Sequence, residues 1–292
     1  MTPAIRQRAI DLYDRFTHEG MERRAFMAEM AKLAGSVAAA ELLIGSIAAN
    51  ANAAPVIQSD PRISAGPADL DLGNGLIYKV YGADVVKRRG RRGTVLVIHE
   101  NRGLNEHIRD VTRRLAVAGF NAIAPDFLSP LGGTPADEDK ARDMIGKLDL
   151  AKAASDAVAM LDTLSQWNGT SGKVGAVGFC WGGGFVNRLA VAAGDKLDAA
   201  VVYYGPAPDP SEAPKVQAPV EFHNAGLDNR VNATSFPWIT ALRGAGKTVK
   251  FFLYEGANHA FNNNTSAERY DKPAADLAWK RTLAFFRQYL SA

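Results

Sequence analysis

The sequence predicts an α/β fold, a mostly parallel sheet with helices on both faces. From about residue 76 onward, short apolar runs alternate with stretches of helical period. Several of the runs are continuous rather than alternating, as strands covered on both faces must be, and parallel neighbours need helical crossovers. The length, 292 residues, fits one catalytic-sized α/β core plus an appendage. A composition of 47% hydrophobic and 22% charged residues is globular, and a formal net charge of +3 is too small to imply a nucleic-acid partner. The one basic cluster, "KRRGRR" at residues 87–92, reads as a solvated turn before an apolar strand.

The chain opens with Ile5, Ala9, Leu12, Tyr13 and Phe16 at helical spacing, an amphipathic helix. Arg23 and Arg24 with Phe26, a tract of small and apolar residues, and an A-x-A pattern at Ala51-Asn52-Ala53 make residues 1–53 resemble a twin-arginine export signal. The resemblance implies an export machinery as partner and a periplasmic or otherwise exported protein. The alternative is a helical N-terminal extension packed on the domain of a cytoplasmic protein. Lys32 and Glu41 interrupt the tract, which leaves it short of the roughly 18 to 20 clean apolar residues of a permanent membrane span. Residues 54–75, polar and bearing Pro and Gly, read as a linker, and residues 76–292 as the main domain.

In that domain "LIYKVYG" and "GTVLVIHE" read as strands, and "NEHIRDVTRRLAVAG" as an amphipathic helix closed by Gly119. "FNAIAPD" is a strand, residues 127–135 a Pro/Gly loop, and residues 137–166 one long helical stretch. Then follow "KVGAVGF" as strand, "WGGGFVNRLAVAAG" as helix, "LDAAVVYYG" and "APVEFHNAG" as strands, "SFPWITALRGAG" as helix, "TVKFFLYEG" as strand and "AADLAWKRTLAFFRQYLSA" as closing helix.

The lone cysteine, Cys180, lies in "GFCWGG", directly after a strand and before a helix, so no internal disulfide can form. A G-x-nucleophile-x-G-G turn of this kind needs glycine at Gly178 and Gly182 for close packing, and it lifts the nucleophile above the sheet edge. The helix N-terminus then favours a thiolate. By itself such a cysteine is equally a small buried hydrophobe. A thiol nucleophile requires a base and the base an orienting acid, and both follow Cys180 on loops after later strands: Asp228 in "AGLDNRVN" and His259 in "EGANHAFNN". Of the other histidines, His18 lies in the N-terminal segment, His107 on a helix and His223 inside a strand, while His99 at a strand end is a lesser rival. No metal-ligand spacing, G-x-G-x-x-G or P-loop is present, so neither metal nor cofactor is expected. Phe127, Tyr204, Trp238 and Phe261 are candidates for an apolar pocket wall or for packing.

With "VIHENRGLNEHIRD" these motifs make residues 76–292 resemble the dienelactone hydrolase (carboxymethylenebutenolidase) family of α/β-hydrolases. The resemblance implies an α/β-hydrolase fold and cleavage of a small-molecule ester or lactone by a Cys180-His259-Asp228 triad through an acyl-thioester. It further implies that Glu100 takes the resting thiol proton, and that the backbone N–H groups of Asn101 and Trp181 form the oxyanion hole. The family's two carboxylate-binding arginines correspond here to Pro130 and Asn263, with Arg102, Arg230 or Arg269 as possible substitutes. A catalytically weak, binding or stress-associated homologue, or a thiol-based detoxification protein, are the alternative functions; the latter lacks a resolving cysteine. Oligomeric state is not legible from the sequence.

Overall fold

A computed structural model describes residues 2–48, 56–73, 75–86, 90–266 and 268–291. Ala51, Asn52 and Ala53, and Lys87 to Arg89 of the basic cluster, lie outside the described residues. The strands form one eight-stranded sheet: β1 (Ile63–Asp71), β2 (Ile77–Val85), β3 (Arg92–Ile98), β4 (Asn121–Pro125), β5 (Thr170–Phe179), β6 (Ala199–Tyr203), β7 (Val220–Ala225) and β8 (Val249–Tyr254). Their spatial order is β1-β2-β4-β3-β5-β6-β7-β8. β1 and β2 pair antiparallel, as do β2 and β4, and every pair from β4 to β8 is parallel. This is an α/β-hydrolase-like fold. The chain leaves β3 for β4 on one side and reaches β5 on the other, so the crevice beyond the carboxyl ends of β3 and β5 is the switch point where such sheets bind ligands.

Both faces of the sheet are covered because its central strands are apolar on both sides; Val95, Leu96, Val97 and Ile98 of β3 are all fully buried. On one face, α6 (Leu150–Ser165), α7 (Trp181–Ala192) and α8 (Asn229–Gly244) pack over Leu96, Ile98, Ala176 and Val202. On the other, α4 (Glu106–Val117) and α9 (Lys272–Leu290) pack over Val95, Val97, Val177 and Val201.

Three elements differ from the sequence reading. The expected linker, residues 54–75, contains β1, whose pattern is weak because it is an edge strand with little beyond Ile63 and Leu70 buried and with Pro67 tolerated at mid-strand. The long helical stretch is two helices, α5 (Glu138–Ile145) and α6, because the Asp149 side chain accepts hydrogen bonds from Ala151 and Lys152 N–H and starts a new helix. Helix α8 begins at Asn229, six residues before the expected start, because Asp228 caps it.

Residues 3–48 form α1 (Pro3–His18), α2 (Arg23–Ala34) and α3 (Val37–Ala48). Ala9, Leu12, Tyr13 and Phe16 are buried as their spacing requires, and they share a small core with Phe26, Met30, Leu43 and Ile47. The Phe16 and Phe26 rings stack at 4.3 Å. Among the described residues, no helix is long and apolar enough to cross a membrane.

Candidate active site

The nucleophile turn is built by absent side chains. A Cβ on Gly178 would lie 2.1 Å from the carbonyl oxygen of Gly182, and one on Gly182 would lie 2.4 Å from those of both Ile98 and His99. With the strand and the helix this close, the residue between them cannot keep ordinary backbone angles. Cys180 has φ 55° and ψ −116°, a region that L-residues enter only when the surroundings hold them there. Its N–H donates to Tyr203 O at the end of β6 and its carbonyl accepts from Gly184 N–H of α7, so the neighbouring strand and the following helix fix it. Trp181 opens α7, where the backbone N–H has no carbonyl four residues back to bond.

Asp228 and His259 arrive from the ends of β7 and β8. Asp228 Oδ1 accepts from Val231 N–H at 3.1 Å, capping α8, and Oδ2 accepts from His259 Nδ1 at 2.5 Å. The turn-forming and histidine-orienting readings of Asp228 are thus both realised, one on each oxygen. The two loops are knitted by Gly226 N–H to Tyr254 O and Leu227 N–H to Ala257 O. Burial opposes a charge on His259, but the Asp228 carboxylate, and after it Cys180, outweigh burial and push the imidazole up to about 10. Burial likewise works against ionised Asp228, yet His259 holds that carboxyl below the usual carboxylate range. The Cys180 side chain interacts with His259 as well.

Glu100 and Asn101 follow β3 and line the same cavity as Cys180 and His259. Asn263 Nδ2 donates to Glu100 Oε2 at 2.7 Å, and Oε1 is buried with no hydrogen-bond partner among the described residues. Asn263, at the place of a family arginine, therefore binds a protein carboxylate. Pro130 sits in an exposed turn at residues 129–131. Of the candidate substitutes, Arg102 and Arg269 line the cavity. Arg230 acts on the Asp228 carboxyl through space.

The rival histidines are occupied. His99 Nε2 accepts from Phe127 N–H at 3.1 Å, so Nδ1 carries the proton and donates to Glu100 O; burial lowers its pKa. His223 bonds Tyr254 and Glu221 within the core, and His107 bonds Asn264. Trp238 donates to Asn187 under α7, and Phe127 packs beside Trp181, so these two are packing residues. Phe261 packs against Tyr204. Tyr204 matters more than its apolar ring suggested: its ring stands 5.1 Å from that of His259 and its buried hydroxyl has no hydrogen-bond partner. Among the described residues, no group of three His, Cys, Asp or Glu side chains could hold a metal ion.

Two outcomes follow from this geometry. Gly182→Ala must move β3 or α7, and we expect it to lower the urea midpoint by an equivalent of about 1–3 kcal/mol or more. Because His259 is raised above its ordinary 6.5, its contribution to stability is complete below that pH and disappears as pH rises through about 10. Thermal unfolding should therefore show a smaller loss between pH 6.5 and 10 in Asp228→Asn than in the wild type, the other titrating groups being common to both.

The model of the "Dienelactone hydrolase family" matches residues 81–290. A "Putative carboxymethylenebutenolidase" of Escherichia coli O157:H7 is 32% identical over 258 residues, covering 83% of this chain and 94% of the relative. The crystal structure of a "Putative Dienelactone Hydrolase" from Klebsiella pneumoniae superposes with a TM-score of 0.70 at 30% identity, over 78% of this chain and 99% of that one. A dienelactone hydrolase-like promiscuous phosphotriesterase from metagenomic libraries superposes with a TM-score of 0.68 at 25% identity, over 79% of this chain and all of that one. With Cys180 in the turn after β5, Asp228 after β7 and His259 after β8, these matches show that the chain belongs to the dienelactone hydrolase family.

Proposed function

We propose that the chain hydrolyses a carboxylic ester or lactone through a covalent acyl-thioester on Cys180. The observation that carries this reading is the convergence of Cys180, His259 and Asp228, contributed by three different loops, with both the thiol and the carboxylate acting on one imidazole. His259 accepts the thiol proton, and the raised basicity that Asp228 confers holds it there. The thiolate attacks the carbonyl carbon. The resulting oxyanion rests on the N–H groups of Asn101 and Trp181, where each donor is worth roughly 10²- to 10³-fold in rate. The C–O bond breaks as the leaving alkoxide takes the proton from His259. Water then gives a proton to His259 and its oxygen to the acyl carbon, and the acid departs with Cys180 restored.

In this reading Glu100, held by Asn263, accepts a hydrogen bond from the resting thiol and so keeps the sulfur protonated until substrate binds and His259 takes the proton. The substrate chemistry follows from the arginine positions: with Asn263 engaged by Glu100 and proline at position 130, neutral esters and lactones are favoured over the carboxylated lactones that paired arginines would bind. We also propose that residues 1–53 direct export, supported by Arg23 and Arg24 lying exposed at the start of α2.

With a neutral aryl ester, the chain with its Cys180 site open to substrate should release alcohol in a burst equal to one acyl group per chain, and the same chain carrying Cys180→Ala none. Asp228→Asn should retain the burst site but lose roughly 10²- to 10⁴-fold in kcat. Turnover unchanged in Cys180→Ala overturns the mechanism. For export, replacing Arg23 and Arg24 together by lysine should hold the protein in the cytoplasmic fraction; equal distribution of both forms overturns that reading.

A further inference from the structure

The space above Cys180 is too small for the chemistry just proposed. The cavity that Cys180, His259 and Glu100 share measures about 40 Å³, whereas small-molecule sites run from about 300 to 1,000 Å³. What fills the difference is α1. Tyr13 and Thr17 form part of the cavity wall. The Tyr13 ring lies between two guanidinium groups, Arg102 at 6.0 Å and Arg269 at 5.2 Å, and its hydroxyl accepts from Arg102 at 2.5 Å. Asp14, one residue on, accepts from Arg269 Nη1 at 3.3 Å. Thr17 offers its carbonyl oxygen to the Asn101 side chain at 3.4 Å.

These contacts differ in kind from ordinary packing of an appendage. The three α1 residues address site groups: a side chain of the oxyanion loop and the two arginines that line the cavity. Asp14 is half-buried, and desolvation pushes its carboxyl up although Arg269, and then His259, pull it down; the carboxyl thus feels the histidine of the site. The segment is also clamped at its edges. Gln7 bonds Asn258, the residue before the histidine, at 2.6 Å, and Ser266 donates to the carbonyl of Ile47 at 2.8 Å. Its own small core lets residues 3–48 move as one body on the chain that follows.

We propose that residues 3–48 are an intramolecular stopper of the Cys180–His259 site, held by Tyr13, Asp14 and Thr17, and that substrate enters only when this segment lifts away or is removed. The inference rests on the hydrolase reading for its biological meaning, but not for its test. Occupied by its own α1, the site is closed to an ester; freed, it gains the volume of the α1 side chains and two arginine heads at its rim, Arg102 still paired with Glu138 and Arg269 with Ser266.

The test uses the single thiol as reporter. Labelling of Cys180 by neutral N-phenylmaleimide, followed by mass, measures access without requiring turnover. In the full chain, Asp14→Arg sets a like charge against Arg269 and should speed labelling at least about tenfold, whereas Arg15→Ala, on an exposed position of the same helix, should label as the wild type does. As a second measurement, a protease site placed in residues 49–55 and cut after folding should give the same acceleration in the Asp14→Arg background. Near-UV circular dichroism of the cut and uncut proteins guards against general unfolding. Wild-type labelling rates in both the variant and the cut protein overturn the stopper. Faster labelling with no ester hydrolysed upholds the stopper and counts against the hydrolase reading; ester turnover at unchanged labelling does the reverse.

Discussion

No side chain fits between the end of β5 and the start of α7, and the rest of the site depends on that. The Cα of Gly182 lies so close to the carbonyls of Ile98 and His99 that even a methyl group would overlap main-chain atoms, which cannot rotate away. The packing of helix against strand fixes the position of Cys180 and forces its backbone into an unfavourable region. The same closeness brings the end of β3, with Glu100 and Asn101, alongside the sulfur. The thiol of Cys180 is thereby gathered with Glu100 and Asn101, about 80 positions earlier, at the switch point of the sheet.

The polar half of the site is held by shared use of one carboxylate. Asp228 spends one oxygen on the N-terminus of α8 and the other on His259, so the stability of a helix and the orientation of the base are the same constraint. Burial makes this pairing strong. In water the imidazole and carboxylate would gain little from each other; in an enclosed site the carboxylate and the sulfur together overcome the cost of a buried cation. Tyr204 and Ala260, both with positive φ, flank this arrangement and bend the chain around the histidine.

The N-terminal helices add a second use of charge. Arg102 is held by Tyr13 and Glu138, Arg269 by Asp14 and Ser266, and Asn263 by Glu100. Groups suited to anionic or carbonyl ligands thus find internal partners, which is consistent with a site in a closed resting state. Since the segment has its own core, its docking depends on a few polar and cation–aromatic contacts rather than on a shared hydrophobic interior. Such contacts are weak enough to exchange against a ligand.

The sequence by itself determined the α/β order of elements, the strand–turn–helix around Cys180 and the chain order Cys180, Asp228, His259. These are local: apolar period marks the elements, and glycine marks a turn that tolerates nothing else. It left β1 hidden, because an edge strand buries too few residues to impose a pattern, and it merged α5 with α6, because a break made by one capping aspartate leaves the apolar period almost intact. Only the tertiary structure decided that Glu100 pairs with Asn263, that His99 is occupied by Phe127, and that Tyr13, Asp14 and Thr17 lie over the cavity. Each of these joins residues from about 28 to more than 240 positions apart, and no local pattern encodes which distant side chain will fill a lone pair or a void.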